Sequence, residues 1–365
     1  MVVPGGVDRS GERRVIPALL ALIRRLAIHH DLRVFALHQE ARRAEWDLAG
    51  ARIHNVGARC SVPRAMRQIH AAHRSMPFDI VHAIWSGWSG LTATGISTLL
   101  RIPSLVHIAG GELASIPQIA YGGSRSWHGR AREAFTLRAA SVITAASAPV
   151  IERLAELGFE AQRVPLGVDL SAWPARRPVK RDPLRRARLI HVASLNRVKD
   201  QTTLLRALAL LAGSGVDFEL DLIGEDTLHG EIQQLGARLG LAERVRFHGF
   251  LTQRQMRPIM LAGDLMVMSS LHETGPLVML EAAVLGIPTV GTAVGHVREW
   301  SPHAAVSVPV GDAGRLAQAI AGLLANEELR MRLAHSAHQR ALQEDADYTA
   351  GCFQRLYARL CPTAR

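Results

Sequence analysis

The stretch HETGPLVMLE, residues 272–281, sets two carboxylates, Glu273 and Glu281, on either side of Gly275-Pro276 and a short apolar run. It follows the strand-like DLMVMSS (264–270) and continues into AAVLGIPTVGT (282–292), which reads as the rest of a helix and a further strand. Proline is favoured in the first turn of a helix, where its missing N–H costs nothing. The sequence therefore predicts a helix over 275–286 that starts at Gly275-Pro276. The first amides of such a helix, near Gly275, Leu277 and Val278, have no intrahelical partner and form a ready anion site. Glu273 then falls in the loop at the strand's C-terminal end, and Glu281 lies about one turn into the helix. An amide cluster between two acids suits a molecule carrying a sugar, a diphosphate and a ribose in a row. It suits a glycosidase less well, since that chemistry wants two acids flanking one bond.

Outward from this stretch, strand-like and helix-like segments alternate in both halves of the chain. DLRVFAL (31–37), RIHNV (52–56), FDIVHAIW (78–85), PSLVHIA (103–109) and ASVITAAS (140–147) are short apolar runs of the buried-strand kind. Between the first glycine-rich turn, GGVDRSG (5–11), and the strand at 31–37, Val15, Ile16, Leu19, Leu20, Ile23 and Leu26 recur at helical spacing. The segment LSAWPARRPVKRDPLRRAR (170–188) is rich in Pro and Arg, lacks periodicity and reads as an interdomain linker. Alternation resumes with RLIHVA (188–193), the helix face Leu204, Leu205, Leu208 and Leu211, FELDLI (218–223) and RVRFHGF (244–250), and the chain is helical from about Asp312 to Leu360.

This pattern predicts an α/β protein of two doubly wound parallel-sheet domains facing each other across a cleft, with ligands at the C-terminal ends of the strands. The expected division is an N-terminal domain over 1–170, a linker over 171–187, a C-terminal domain over 188–345 and a final helix over 346–365 that packs back on the N-terminal domain.

Composition narrows the class. The chain has 365 residues, with 48% hydrophobic and 21% charged, as a soluble globular protein has. Its longest uncharged run, Ile80 to Leu100, holds three Gly and His82 and is no membrane span. No signal peptide is legible after Met1. Three cysteines without a C-x-x-C, and no H-E-x-x-H among 17 histidines, speak against a disulfide framework or a zinc site and fit a cytoplasmic protein. The net charge of +11 admits nucleic acid, an anionic membrane face or anionic substrates as partners. It equally admits solvated arginine faces. Aromatic residues make up only 5% and are not interleaved with basic stretches, so a nucleic-acid stacking platform is not expected.

The spacing E-x7-E with GPLV inside and EAAVLGIPTVGT after it resembles the donor site of the retaining GT-B glycosyltransferases of family 4, the group 1 glycosyl transferases. The likeness extends to PGGVDRSG (4–11), RVPLGVDLSAW (163–173), VASLNRVKDQTTLLRAL (192–208), LDLIGED (220–226) and RFHGFLTQ (246–253). E-x7-E alone is weak; in this order with the other blocks it is specific. The resemblance implies transfer of a hexose-type sugar from a UDP- or GDP-linked donor to an acceptor hydroxyl, in polysaccharide or glycolipid biosynthesis, without a metal or other cofactor. It implies that Glu281 binds ribose hydroxyls and Glu273 the donor sugar. Leu277 and Val278 amides, beside Gly275 and Pro276, would hold the diphosphate, and Lys199 would neutralise a phosphate oxygen. The Gly5-Gly6 loop would close over the diphosphate, and Ser194 and Gly224 would line the nucleotide pocket. For Glu281 the plainer alternative is a helix-surface charge, and for Lys199 a solvated lysine.

Two positions depart from the family pattern. Ser194 stands where an Arg is usual, with Arg197 nearby as a substitute, so either Arg197 or Lys199 is expected to carry the main charge. AGGEL (109–113) stands for an H-G-x-D-like segment, with Ala109 in place of His and Glu112 in place of the acid. His107, two residues away on the same strand face, is then a candidate catalytic histidine. It is equally readable as a core residue. Trp85, Trp88 and Trp127 are candidates for stacking on sugar rings or for packing. Only VVP precedes the glycine-rich loop, so a short first strand, or a start further upstream, is expected. A glycan or lipid-linked acceptor is expected. Arg24-Arg25 and the Arg-rich linker suggest peripheral contact with an anionic membrane at the inner face. A sugar-nucleotide hydrolase or epimerase, and a catalytically weak nucleotide-sugar-binding subunit, remain the alternatives.

Overall fold

The computed structural model describes residues 1–57 and 62–362; Cys60 lies outside the described residues. The chain divides into two units, one of residues 1–167 with 346–365 and the other of residues 168–345.

The first unit contains β1 (Val2–Val3), α1 (Pro17–Leu26), β2 (Arg33–Ala36), β3 (Ala44–Leu48), β4 (Ala51–Asn55), α2 (Val62–Ser75), β5 (Val81–Ile84), α3 (Leu91–Leu100), β6 (Ser104–Ile108), α4 (Trp127–Ala139), β7 (Val142–Ala145), α5 (Ala148–Glu156) and β8 (Gln162–Arg163). The strands lie in the order β3-β4-β2-β1-β5-β6-β7-β8. All pairings are parallel except β3 with β4, which form a hairpin. Period-two alternation sorts side chains between the two faces. Val3, Val34, Ile53, Ile84 and Leu105 pack against Leu19, Leu22, Ile23 and Leu26 of α1. Val2, Phe35, Ala83 and Val106 pack against Ala65 and Ile69 of α2 and Ala93 and Ile96 of α3. Complete burial of each large side chain contributes roughly 1.5–3 kcal/mol. Arg25, one of the two basic residues considered for a membrane face, lies 2.5 Å from Asp347 near the chain's C-terminal end.

The second unit contains β9 (Ala187–Val192), α6 (Gln201–Gly213), β10 (Phe218–Ile223), α7 (Glu231–Arg238), β11 (Val245–Phe247), α8 (Gln253–Leu261), β12 (Leu265–Met268), α9 (Leu277–Val284), β13 (Thr289–Thr292), α10 (Gly295–Trp300), β14 (Ala305–Val308), α11 (Ala313–Ala325) and α12 (Glu327–Gln343). Its sheet runs β11-β10-β9-β12-β13-β14, parallel throughout. Leu189, Leu222 and Val267 face α6 and α11, while Ile190, Met266 and Met268 face α8 and α9. The segment read as a linker lies along this unit: Arg176 N–H donates to Val284 O, and Arg330 donates to Val179 O. Trp173 is fully buried among Met266, Leu280 and Trp300. The last helix, α13 (Ala346–Leu360), belongs to the first unit, where Phe353 and Leu356 join the core beside α1.

Three strands escape the sequence pattern. The hairpin strand β3 carries AEWDL, whose charges hide its alternation, β8 has only two residues, and β14 precedes the helical end. Among the described residues, no helix is long and apolar enough to cross a membrane.

Candidate functional site

In the second sheet β9, the unit's first strand, lies between β10 and β12. The chain leaves β9 toward one side and returns at β12 on the other, so the loops after these two strands diverge and open a crevice. Lys199 sits on the first loop and Glu273 on the second. Their side chains meet: Lys199 Nζ lies 2.5 Å from Glu273 Oε1, with the side chains 25% and 10% exposed. Ser270 Oγ donates to the same Oε1 at 2.6 Å.

Backbone contacts fix both loops. Leu271 N–H donates to Val198 O (2.8 Å), and Ser269 Oγ donates to Lys199 O (2.8 Å). Asn196 Oδ1 accepts from Lys199 N–H, and Asp200 then caps α6 by accepting from Thr203 N–H. Gly295, at φ +49°, lets the start of α10 press against Glu273; a Cβ there would stand 3.0 Å from Glu273 Cβ and O. Beneath Lys199, His191 is buried with Nδ1 2.9 Å from Val267 O, and burial pushes its pKa down to about 4. Gln201 lies 3.3 Å from His191 Nε2 and donates to Ser194 O at 3.1 Å.

Helix α9 begins at Leu277, with Pro276 as its extended N-cap rather than its first helical residue, and no side chain caps its first turn. Gly275, Leu277 and Val278 are half-buried. Further in, Glu281 is only 4% exposed, which removes the reading as a surface charge. Gln253 Nε2 donates to Glu281 Oε1 at 2.7 Å. Burial pushes the carboxyl up to about 7, against the opposing pull of Gln253 and of the Trp173 indole. Trp173 faces that carboxylate, but its Nε1 makes no hydrogen bond of regular geometry. Gly224 stands where β10 ends beside β9: a Cβ would lie 1.9 Å from Ala193 O, so only glycine fits.

The structure thus brings Lys199, Glu273 and the start of α9 to one crevice, with Glu281 buried one turn into that helix. Arg197 is not part of the cluster. Its guanidinium lies 2.7 Å from Glu231 of α7, with both side chains more than half exposed. Sequence reasoning missed Gln253, Gln201, His191, Ser270 and Gly295. Of these Gln201 and Gln253 carried a signal, since they fall in the VASLNRVKDQTTLLRAL and RFHGFLTQ blocks of the family likeness.

In the first unit, His107 is fully buried rather than open to a substrate. Alternation along β6 turns it to the face covered by α13, where its ring stands edge-on to Phe353 at 5.4 Å. Its Nδ1 lies 2.9 Å from Thr144 Oγ1, and burial pushes its pKa down to about 3. The built feature at the C-terminal ends of β5 and β6 is Glu112. Its Oε1 accepts from Ser86 N–H (3.2 Å) and its Oε2 from Gly110 N–H (2.7 Å), and burial raises it to about 7. Ser86 Oγ also donates to the buried Glu133 at 2.5 Å. Trp85 adopts φ +71° there, a costly value for a bulky residue. Trp88, 54% exposed, lies under the Arg132 guanidinium at 4.9 Å. In the glycine-rich loop, Gly6 takes φ +82°, and Gln39 Oε1 accepts from Val7 N–H.

Two parallel-sheet units, the second with charged groups at its switch point, are the GT-B architecture. The chain belongs to the group 1 glycosyltransferases: the family model "Glycosyl transferases group 1" matches residues 175–340, and "Glycosyl transferase 4-like domain" matches residues 11–167. It is 31% identical over 158 residues to an N-acetyl-alpha-D-glucosaminyl L-malate synthase of Bacillus anthracis, a match spanning 43% of this chain and 41% of that relative. In fold it is similar to a sucrose-phosphate synthase from Thermosynechococcus elongatus (TM-score 0.82, 18% identity, 100% and 99% of the two chains). It is also similar to Anabaena HepE in complex with UDP-glucose (TM-score 0.74, 19% identity, 98% and 100%).

Proposed function

We propose that the chain transfers a hexose-type sugar from a nucleotide-sugar, with retention of anomeric configuration, to an acceptor hydroxyl in polysaccharide or glycolipid synthesis. The observation that carries this reading is the Lys199–Glu273 pair beside the uncapped start of α9, with the buried Glu281 further along the same helix. Glu281 accepts hydrogen bonds from ribose hydroxyls, and the α9 amides and Lys199 hold the diphosphate. Glu273, released from Lys199 by the phosphates, takes the sugar hydroxyls. The bond from C1 to the diphosphate oxygen breaks, and charge grows on that oxygen. Preorganised amides and an ammonium stabilise it without calling on a metal ion. The acceptor oxygen bonds C1 from the same face, and its proton passes to the departing phosphate oxygen. UDP is the first donor base to test, because a solved relative in fold binds UDP-glucose.

The test measures nucleoside diphosphate release from UDP-, GDP- and ADP-sugars, with and without glycan and lipid-linked acceptors. Acceptor-dependent release supports transfer. Release that ignores the acceptor replaces transfer with hydrolysis, and binding without release replaces it with a binding subunit.

A further inference from the structure

Joining β3 to β4 by a tight hairpin, instead of a crossover helix, has a consequence at the edge of the first sheet. The face of these strands on the α2 side is left without a helix of its own, and a groove of about 930 Å³ runs between α2 and the strands. Its floor is His54, stacked on Phe35 with ring centroids 4.8 Å apart. Its walls carry Arg33 and Arg43 from the sheet side and Arg64 and Arg67 from α2, against one carboxylate, Glu45. That carboxylate is already engaged: Glu45 lies 3.1 Å from His54 Nδ1, 3.4 Å from Arg52 and 4.0 Å from Arg43, so Arg33, Arg64 and Arg67 supply the groove's unpaired charge. Helix α2, VPRAMRQIHAAHRS, contains no acid at all. Among the described residues, neither Arg64 nor Arg67 has a carboxylate partner. Arg33 is held against Met76 and over the Phe78 ring, so it is positioned rather than loose.

Unneutralised guanidinium groups converging on a concave surface select anions, and their planar forks match carboxylate and phosphate oxygens in pairs. The volume falls within the range of ligand sites, and the fourteen-residue α2 gives it a length of roughly 20 Å, several sugar rings. A flat lipid surface would not reach the His54 floor. We propose that this groove binds an anionic oligosaccharide, a chain of sugars bearing carboxylate or phosphate groups. Its place on an acceptor, as the part remote from the reacting hydroxyl, rests on the glycosyltransferase reading; the binding itself does not.

The test titrates the full chain with a tetragalacturonate, with inorganic tripolyphosphate and with neutral maltotetraose, and mixes it with phosphatidylglycerol vesicles, in low salt. It is repeated with Arg64→Ala/Arg67→Ala and with Arg332→Ala, an exposed arginine on α12 that controls for net charge. The expected result is binding of at least one of the two anions, weakened by at least ~10-fold in the double variant and unchanged in Arg332→Ala, with no maltotetraose binding. Tetragalacturonate alone assigns a carboxylate chain, and tripolyphosphate alone a phosphate-bearing one. Equal anion binding by the double variant, no anion binding by the wild type, or retention only on phosphatidylglycerol vesicles overturns the proposal. Both substituted arginines are exposed, so the thermal midpoint of the double variant should match the wild type. Transfer to a neutral acceptor should also be unchanged in the double variant, which separates failure of the groove from failure of the transfer reading.

Discussion

Lys199 Nζ and Glu273 Oε1 lie 2.5 Å apart, joining the loops after β9 and β12 at the point where the second sheet's connections diverge. Neither loop alone makes a charged site. The pair places an ammonium and a carboxylate, both largely shielded from solvent, beside the helix-start amides of α9. Phosphate oxygens would compete with Glu273 for that ammonium and so free the carboxylate for sugar hydroxyls.

Lys199→Ala and Glu273→Gln are therefore each expected to lower kcat/KM by about 10²–10³, in line with loss of one group aimed at developing charge. Because the two groups act as a unit, the double variant should lose far less than the product of the single losses. Steady-state rates on one accepted donor check this.

Glu281 carries a pH signature. Its pKa is raised to about 7 in the folded chain, so it is largely protonated below that value. Ribose hydroxyls donate best to the ionised form. Nucleotide affinity should then rise between about pH 6 and 8 and should be flat over that window in Glu281→Gln. Stability has the opposite sign. The unfolded carboxyl titrates near 4.5, so the folded state holds more protons between 4.5 and about 7, and this group's contribution falls as pH rises through that window. Calorimetric titration at several pH values reads the first effect, and urea midpoints the second.

Arg197 and His107 should prove dispensable for chemistry. Arg197 is tied at the surface to Glu231, and His107 is buried against Phe353. Arg197→Ala is expected to leave kcat/KM within about threefold, as surface changes away from a site do. His107→Leu should shift the thermal midpoint while leaving kcat in the same range. A hundredfold loss of kcat in a folded Arg197 or His107 variant would return that residue to the mechanism.

Gly224→Ala should destabilise the second unit by at least about 1–3 kcal/mol, as overpacking does, because its Cβ would lie 1.9 Å from the Ala193 carbonyl oxygen. Urea unfolding measures this.

Much of the fold was legible because buried parallel strands write themselves as short apolar runs between helical faces, as FELDLI and PSLVHIA do. The hairpin strand β3 was not: its Glu45 and Asp47 answer His54 and Arg52 across the pair, a relation that appears only once the register is known. Glu273 and Glu281 stand out by their spacing around Gly275-Pro276, and Lys199 by family likeness alone. Arg197 and His107 lie away from the Lys199–Glu273 cluster for physical reasons. An arginine close in sequence to a loop can turn outward to an acid on the next helix. A histidine on a buried strand alternates onto whichever face a distant helix covers, here α13 from the far end of the chain. Gln253 could not be singled out, since a glutamine becomes informative only when its carboxylate partner is found on another helix.

The most direct test of the central claim, that the crevice of the second unit is a nucleotide-sugar cradle, is calorimetric titration of the full chain with UDP, GDP and ADP beside Lys199→Ala and Glu281→Gln. The account predicts that at least one nucleotide binds the wild type and that each variant binds it at least ~10-fold more weakly, the loss of one hydrogen-bonded charged partner. Failure of all three nucleotides to bind, or binding that survives both substitutions, would contradict it.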